Sequence, residues 1–215
     1  GRKEELMPAL RRKVGIMGGT FDPIHIGHLI LGESAYEQFQ LDTVLFMPSG
    51  NPPHKRNREG ASNSQRIEMV RLAIQGNDHF QLSLEEMHEE GYTYTKETLT
   101  RLTAEHPDTD YFFIMGADSL FEFDTWRCPD EIARLCTLIV AVRDGLSSSE
   151  LDPRIDELKV RYQADIRKLT SPNLDISSHT IRRWISEGSS IRYYVPDQVR
   201  RYIMENGVYR CSTIS

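Results

Sequence analysis

Eleven consecutive residues, Gly18-Gly19-Thr20-Phe21-Asp22-Pro23-Ile24-His25-Ile26-Gly27-His28, hold the densest chemistry in the chain. Adjacent glycines let the backbone approach a phosphate with no side chain in the way. His25 and His28 stand at i and i+3, which on a helix puts them on one face, about 4.5 Å apart along the axis. Two imidazoles beside the free N–H groups of a helix N-terminus would grip a polyphosphate. The plainer readings are a glycine turn after a strand and a pair of capping or surface histidines. Zinc would need a third ligand that the neighbourhood lacks, and Cys128 and Cys136 have no useful spacing. Neither GxxxxGK[ST] nor GxGxxG occurs, so a Walker A loop and the dinucleotide fingerprint are absent.

Further candidates are scattered. Ser177 and Ser178 precede an apolar-periodic stretch (Ile181, Trp184, Ile185), which reads as an N-cap. The same hydroxyls and N–H groups, with Arg182, can bind phosphate oxygens. Gly116 and Asp118 follow an apolar run; the glycine admits a nucleotide and the carboxylate suits ribose hydroxyls, although Asp118 could equally cap a following helix. Arg143 ends another apolar run, at the edge where open α/β sheets place ligands. Lys55, Arg56 and Arg58 make a polar, turn-rich segment basic, as a solvated loop or an anion-binding lid would be. Trp126 is one of only two tryptophans, and by residue type alone it belongs to a core rather than to a ligand platform.

The surrounding pattern supplies the elements to hold these residues. Short β-rich runs at Lys13 to Met17, Thr43 to Met47, Phe80 to Leu84, Tyr111 to Met115 and Thr137 to Val142 predict strands. Helical spacing over His25 to Phe39, Gln65 to Gln75, Thr95 to Glu105, Asp156 to Ala164, Ser177 to Glu187 and Pro196 to Asn206 separates or follows them. The alternation predicts a Rossmann-like, doubly wound parallel α/β sheet with helices on both faces and a small C-terminal helical part. Asn51 to Ser64 and Asp144 to Pro153 read as connections without regular structure. Residues 13–209 read as one nucleotide-binding domain. Gly1 to Arg12 reads as a flexible extension or a remnant ahead of the natural start, and 210–215 as a tail.

Composition fits this reading. The 215 residues are 39% hydrophobic and 27% charged, ordinary for a folded domain. A net charge of −6 excludes a generally basic nucleic-acid coat. No apolar run approaches the ~20 residues of a membrane span, and no signal-peptide h-region is visible. Three cysteines without a CxxC pair read as reduced thiols of a cytoplasmic protein.

The eleven-residue string resembles the GTFDPxHxGH signature of the nucleotidyltransferase superfamily. Within it, the chain is similar to bacterial nicotinate-nucleotide adenylyltransferases over roughly Val14 to Tyr209. Further matches are Asn51-Pro52-Pro53-His54-Lys55, Tyr94-Thr95, Gly116-Ala117-Asp118-Ser119, Trp126, Val142-Arg143 and Ile176-Ser177-Ser178 through Arg182. The resemblance implies adenylyl transfer from ATP, with Mg²⁺ as its companion, to nicotinate mononucleotide. It implies His25, His28, Lys55 and Arg182 as catalytic groups, with no resident metal. It implies Gly18, Gly19, Thr20, Phe21, Gly116, Asp118, Ser177 and Ser178 at ATP, and Tyr94, Thr95, Trp126 and Arg143 at the mononucleotide. No nucleic acid or membrane partner is expected, and a homo-oligomer is left open. His179 stands where the family usually has Thr, and Asp144-Gly145 where it often has Pro-Gly. Two alternatives remain at this level: a nucleotidyltransferase with another phosphorylated acceptor, and a non-catalytic nucleotide sensor, against which intact His25, His28 and Arg182 count.

Overall fold

The computed structural model describes residues 10–50, 60–87, 93–142, 148–172 and 174–210. Six parallel strands make one sheet in the order β3-β2-β1-β4-β5-β6: β1 (Arg12–Gly19), β2 (Thr43–Pro48), β3 (Phe80–Leu82), β4 (Thr109–Gly116), β5 (Thr137–Val142) and β6 (Ile166–Thr170). Register is continuous through the centre, with Ile16 opposite both Leu45 of β2 and Phe113 of β4. Period-2 alternation sends neighbouring side chains of each strand into two separate cores. Met17, Phe46, Phe112, Ile114 and Ile139 pack under α1 (Ile26–Gln38), α2 (Asn63–Ile74), α7 (Ser178–Ser186) and α8 (Asp197–Asn206). On the other face Ile16, Tyr111, Met115, Leu138 and Val140 pack under α3 (Thr95–Glu105), α4 (Ala117–Phe121), α5 (Pro129–Leu135) and α6 (Ser148–Tyr162).

Local signals set the helix ends. Ser62 accepts from the Gln65 N–H at 3.2 Å while Gln65 Oε1 accepts from the Ser62 N–H at 3.0 Å, a capping box that starts α2. The irregular segment read as Asn51 to Ser64 therefore ends at this cap; residues 51–59, Lys55 among them, lie outside the described residues. Gly207, at φ 59°, ends α8 in the left-handed conformation that suits glycine.

Two expectations need correction. The connection read from Asp144 to Pro153 is helical from Ser148, and α6 carries Pro153 inside it. Leu151, Ile155 and Leu158 are all buried, and this apolar stripe outweighs the hydrogen bond that Pro153 cannot donate. The strand β6 was absent from the sequence reading because only Ile166 and Leu169 of its five residues are buried. It is the edge of the sheet, where charged Arg167 and Lys168 face water. Smaller shifts are ordinary: β1 begins one residue before Lys13, and β3 stops at Leu82. The stretches read as extension and tail fall largely outside the described residues.

Candidate active site

The strand order turns back between β1 and β4, and the carboxyl ends of these two neighbours carry Gly18-Gly19 and Gly116 side by side. This is the switch point at which open α/β sheets bind ligands. A cavity of about 410 Å³ opens there, lined by Gly27, His28, Gly116, Asp118, Val142 and Ile176 among others. A Cβ on Gly116 would meet no protein atom within 4 Å, so the glycine serves open space rather than packing. A roomier cleft of about 650 Å³ lies toward the opposite end of the strands, but its Arg101 is already paired with Glu85 at 2.8 Å.

His25 is the N-cap of α1, and its Nδ1 accepts the Gly27 N–H at 3.1 Å. His28 closes the box from the other side, its Nδ1 accepting the His25 N–H at 3.1 Å. The rings lie 3.7 Å apart at 30°, and Phe21 sets its edge on His28 at 4.9 Å. Capping and ligand binding are therefore not rivals here. With both Nδ1 atoms accepting, each neutral imidazole must carry its proton on Nε2, which fixes the tautomer and leaves one donor per ring. Burial lowers the His25 pKa to about 4, and burial plus the neighbouring His25 holds His28 well below its ordinary value. The pair thus acts at neutral pH as two uncharged donors. Gly27 makes the arrangement fit: a Cβ there would lie 2.9 Å from the His25 ring.

The same burial has a consequence for stability. The unfolded chain binds a proton on His25 near pH 6.5, while the folded chain does so only near pH 4. Stability is therefore expected to fall as pH drops through that window, by at most about 3 kcal/mol from this residue. Melting curves between pH 7 and 4 on wild type and His25→Asn check this; an equal acid loss in the variant would exclude His25 as a source.

The N-terminus of α7 is strapped to the glycine loop. Ser178 Oγ donates to the Pro23 carbonyl at 2.8 Å, and Arg182 Nη1 donates to the Asp22 carbonyl at 2.8 Å. Ser177 is the N-cap, accepting the Thr180 N–H at 3.1 Å and donating to Thr180 Oγ1 at 2.8 Å. The exposed His179 leaves that cap intact, with Thr180 supplying the second hydroxyl. Two helix N-termini, α1 and α7, thus meet at Thr20 to Pro23. Asp118 is exposed in the first turn of α4, where Gly116 rather than Asp118 holds the cap position. The Phe21 ring is 2% exposed, so any share it takes in binding falls to its backbone.

Tyr94, Thr95 and Trp126 gather on the opposite flank of β4. Tyr94 precedes α3 and Thr95 opens it, while Trp126 follows a single turn at Phe123–Thr125. Arg127 joins them by lying over the Tyr94 ring at 4.6 Å. Trp126 is half-buried, with its ring edge-on to Phe113 at 5.8 Å and tilted against Phe123 at 5.4 Å. Phe113 connects this flank to the glycine loop, since a Cβ on Gly18 would lie 4.0 Å from its ring. Arg143 lies outside the described residues, as Lys55 does.

Sequence reasoning passed over Arg66. It is wholly buried on α2, and its Nη1 donates to the Thr20 carbonyl at 2.7 Å. The signal was present: Arg66, Met69, Val70 and Ile74 fall at helical spacing, so one arginine occupies an apolar position.

Comparison with known proteins supplies the remaining constraint. A family model described as cytidylyltransferase-like matches residues 16–184. A protein of Lachnoclostridium phytofermentans, named probable nicotinate-nucleotide adenylyltransferase, is 44% identical over 198 residues, covering 92% of this chain and 99% of that one. One of the same name from a Thermoanaerobacter species is 40% identical over 92% of this chain and 94% of its own. Among solved structures, the nicotinic acid mononucleotide adenylyltransferase of Plasmodium falciparum superposes with a TM-score of 0.74 at 19% identity, over 92% of this chain and 97% of that one, and so shares the fold. With a doubly wound sheet, a GTFDPxHxGH loop at its switch point and near end-to-end similarity to such relatives, the chain belongs to the cytidylyltransferase-like family and, within it, to the nicotinate-nucleotide adenylyltransferases.

Proposed function

We propose that the protein transfers the adenylyl group of ATP to nicotinate mononucleotide, giving nicotinate adenine dinucleotide and pyrophosphate in NAD biosynthesis. The observation that carries the chemistry is the pair of neutral, cap-fixed imidazoles at the switch point. The acceptor follows from relatives that bear this name and match along nearly their whole length.

A phosphate oxygen of the mononucleotide attacks the α-phosphorus of ATP. The bond to the bridging oxygen breaks, and the electron pair leaves with pyrophosphate. The second pKa of a phosphate monoester is about 6, so the nucleophile is already largely dianionic and needs no general base. Catalysis is then alignment and charge stabilisation. The Nε2–H groups of His25 and His28 donate to the phosphate oxygens on which charge develops. Arg182, with one nitrogen tied to the Asp22 carbonyl, turns its remaining donors to the leaving phosphates together with Lys55. Ser177, Ser178 and the N–H groups of α7 add uncharged donors. Gly18, Gly19 and the Thr20 and Phe21 backbone border the phosphates, while Gly116 and Asp118 take the adenosine side of the cavity.

The mononucleotide sits on the other flank, with its pyridine ring on Trp126 and its ring carboxylate at Thr95 and the first N–H groups of α3. Tyr94 and Arg143 complete that subsite. Charge-assisted donation favours the carboxylate over an amide.

A divalent cation accompanies ATP in this family, and we assign Mg²⁺. Among the described residues no three His, Cys, Asp or Glu side chains converge on a metal position, and the wall of the 410 Å³ cavity has one carboxylate, Asp118. The ion would therefore be carried by the phosphates and water, neutralising their charge. No described helix is long and apolar enough to cross a membrane. We place the enzyme in the cytoplasm, supported by the reduced thiols of Cys128 and Cys136.

A coupled pyrophosphate-release assay with ATP and a panel of phosphorylated acceptors tests the reading. Nicotinate mononucleotide should give the highest kcat/KM. A tenfold preference for nicotinamide mononucleotide or for an unrelated phosphorylated acceptor would replace it.

A further inference from the structure

We propose that Asp22, Arg66 and Tyr209 form a buried positioning device that fixes the glycine–histidine loop and links the C-terminal turn of the chain to catalysis. The proposal builds on the adenylyl-transfer reading, but the contacts that carry it do not depend on the acceptor. Burying a guanidinium is costly unless it is paired and hydrogen-bonded, and an apolar side chain at such a position usually serves stability as well. Arg66 is fully buried, its Nη2 held by Asn63 Oδ1 at 2.6 Å, and its Nε has no hydrogen-bond partner among the described residues. What the arginine accomplishes instead is to hold the Thr20 carbonyl, in the middle of the loop, at 2.7 Å.

Asp22 completes the arrangement. It is buried, and its Oδ1 accepts the Ala61 N–H at 3.0 Å and the Tyr209 hydroxyl at 2.5 Å, while its carbonyl takes Arg182. One residue of the loop is thereby held from the start of α2, from α7 and from the turn after α8. Tyr209 comes from 187 positions away, behind the left-handed Gly207. Its hydroxyl stays protonated, because burial and the Asp22 carboxylate push its pKa up. Among the described residues, Tyr209 and Arg66 are not in the wall of the 410 Å³ cavity, and the polar contacts of both reach loop atoms, so they are assigned a role through the loop.

Tyr209→Phe removes one oxygen and nothing else. It is expected to lower kcat about tenfold, as slight misplacement of aligned groups does, while KM for ATP and for nicotinate mononucleotide stays within about twofold. Hydrogen exchange over residues 18–28 should speed up, while β4 and β5 remain protected. Val208→Ala, a buried apolar truncation one residue away, serves as the control. It should lower the melting temperature and leave kcat within about twofold of wild type. Asp22→Ala, which removes the acceptor, should also slow turnover, and adding Tyr209→Phe to it should cost little further activity, because the two side chains share one hydrogen bond. Unchanged exchange and near-normal kcat in Tyr209→Phe would overturn the proposal, as would an equal kcat loss in Val208→Ala. Exchange needs no substrate, so a wrong acceptor assignment, read from wild type alone, is distinguishable from a failure of the device.

Discussion

His28→Ala is expected to lower kcat by roughly 10²-fold or more, the scale seen when one preorganised donor to a developing oxyanion is removed. The variant loses the Nε2–H that the capping geometry aims away from its own backbone bond. It also loses the acceptor that holds the His25 N–H, a cap worth about 1 kcal/mol, and the ring on which Phe21 packs. Two further substitutions separate these effects. In His28→Asn the amide oxygen can take the place of Nδ1, so the cap should persist and activity should still be lost. In His28→Gln the amide nitrogen reaches nearer to the position of Nε2, and part of the rate should return. Near-normal kcat in His28→Ala, or in a well-folded His28→Asn, would remove the histidine from the chemistry. A fall in kcat that follows stability across all three would reduce it to a cap.

The central strands were legible because they are continuous β-rich runs buried on both faces, as Tyr111 to Met115 and Thr137 to Val142 are. The histidine loop was legible because its donors are neighbours in sequence and a helix start fixes their relation. Contacts made across the fold left fainter marks. Nothing local to Tyr209 announces that its hydroxyl meets Asp22, and an arginine within a helix usually signals solvent rather than a buried junction. Edge strand β6 was hidden by Arg167 and Lys168, whose polarity matches a loop as well as an exposed rim. Pro153 and the serine run ahead of it outvoted, in a local reading, the stripe of Leu151, Ile155 and Leu158. Phe21 shows the converse limit: the motif marks the position, while only the packing shows that its ring lies in the core.

Trp126 faces both ways, and its substitution should show it. A fully buried tryptophan replaced by alanine costs ~3–5 kcal/mol, and one free in a ligand pocket costs little stability. Trp126 stands between these: half-buried, edge-on to Phe113 and tilted against Phe123 at the margin of the core. Trp126→Ala is therefore expected to fold with a loss of about 1–3 kcal/mol. Its larger effect should fall on the acceptor. Stacking of a flat heterocycle on an aromatic side chain is worth ~1–3 kcal/mol, so KM for nicotinate mononucleotide should rise roughly tenfold or more. ATP affinity should hold, because the cavity we assign to adenosine is walled by residues of α1, β4, α4 and β5 among others, and the rings that Trp126 meets, Phe113 and Phe123, are not in that wall. Trp126→Phe keeps a smaller aromatic face and should recover part of the acceptor affinity. Thermal melts, ATP titration and acceptor kinetics on the same preparations distinguish the two roles. A destabilised Trp126→Ala with unchanged acceptor KM would make Trp126 a core residue and leave the pyridine ring to be held by the Tyr94–Thr95 flank alone.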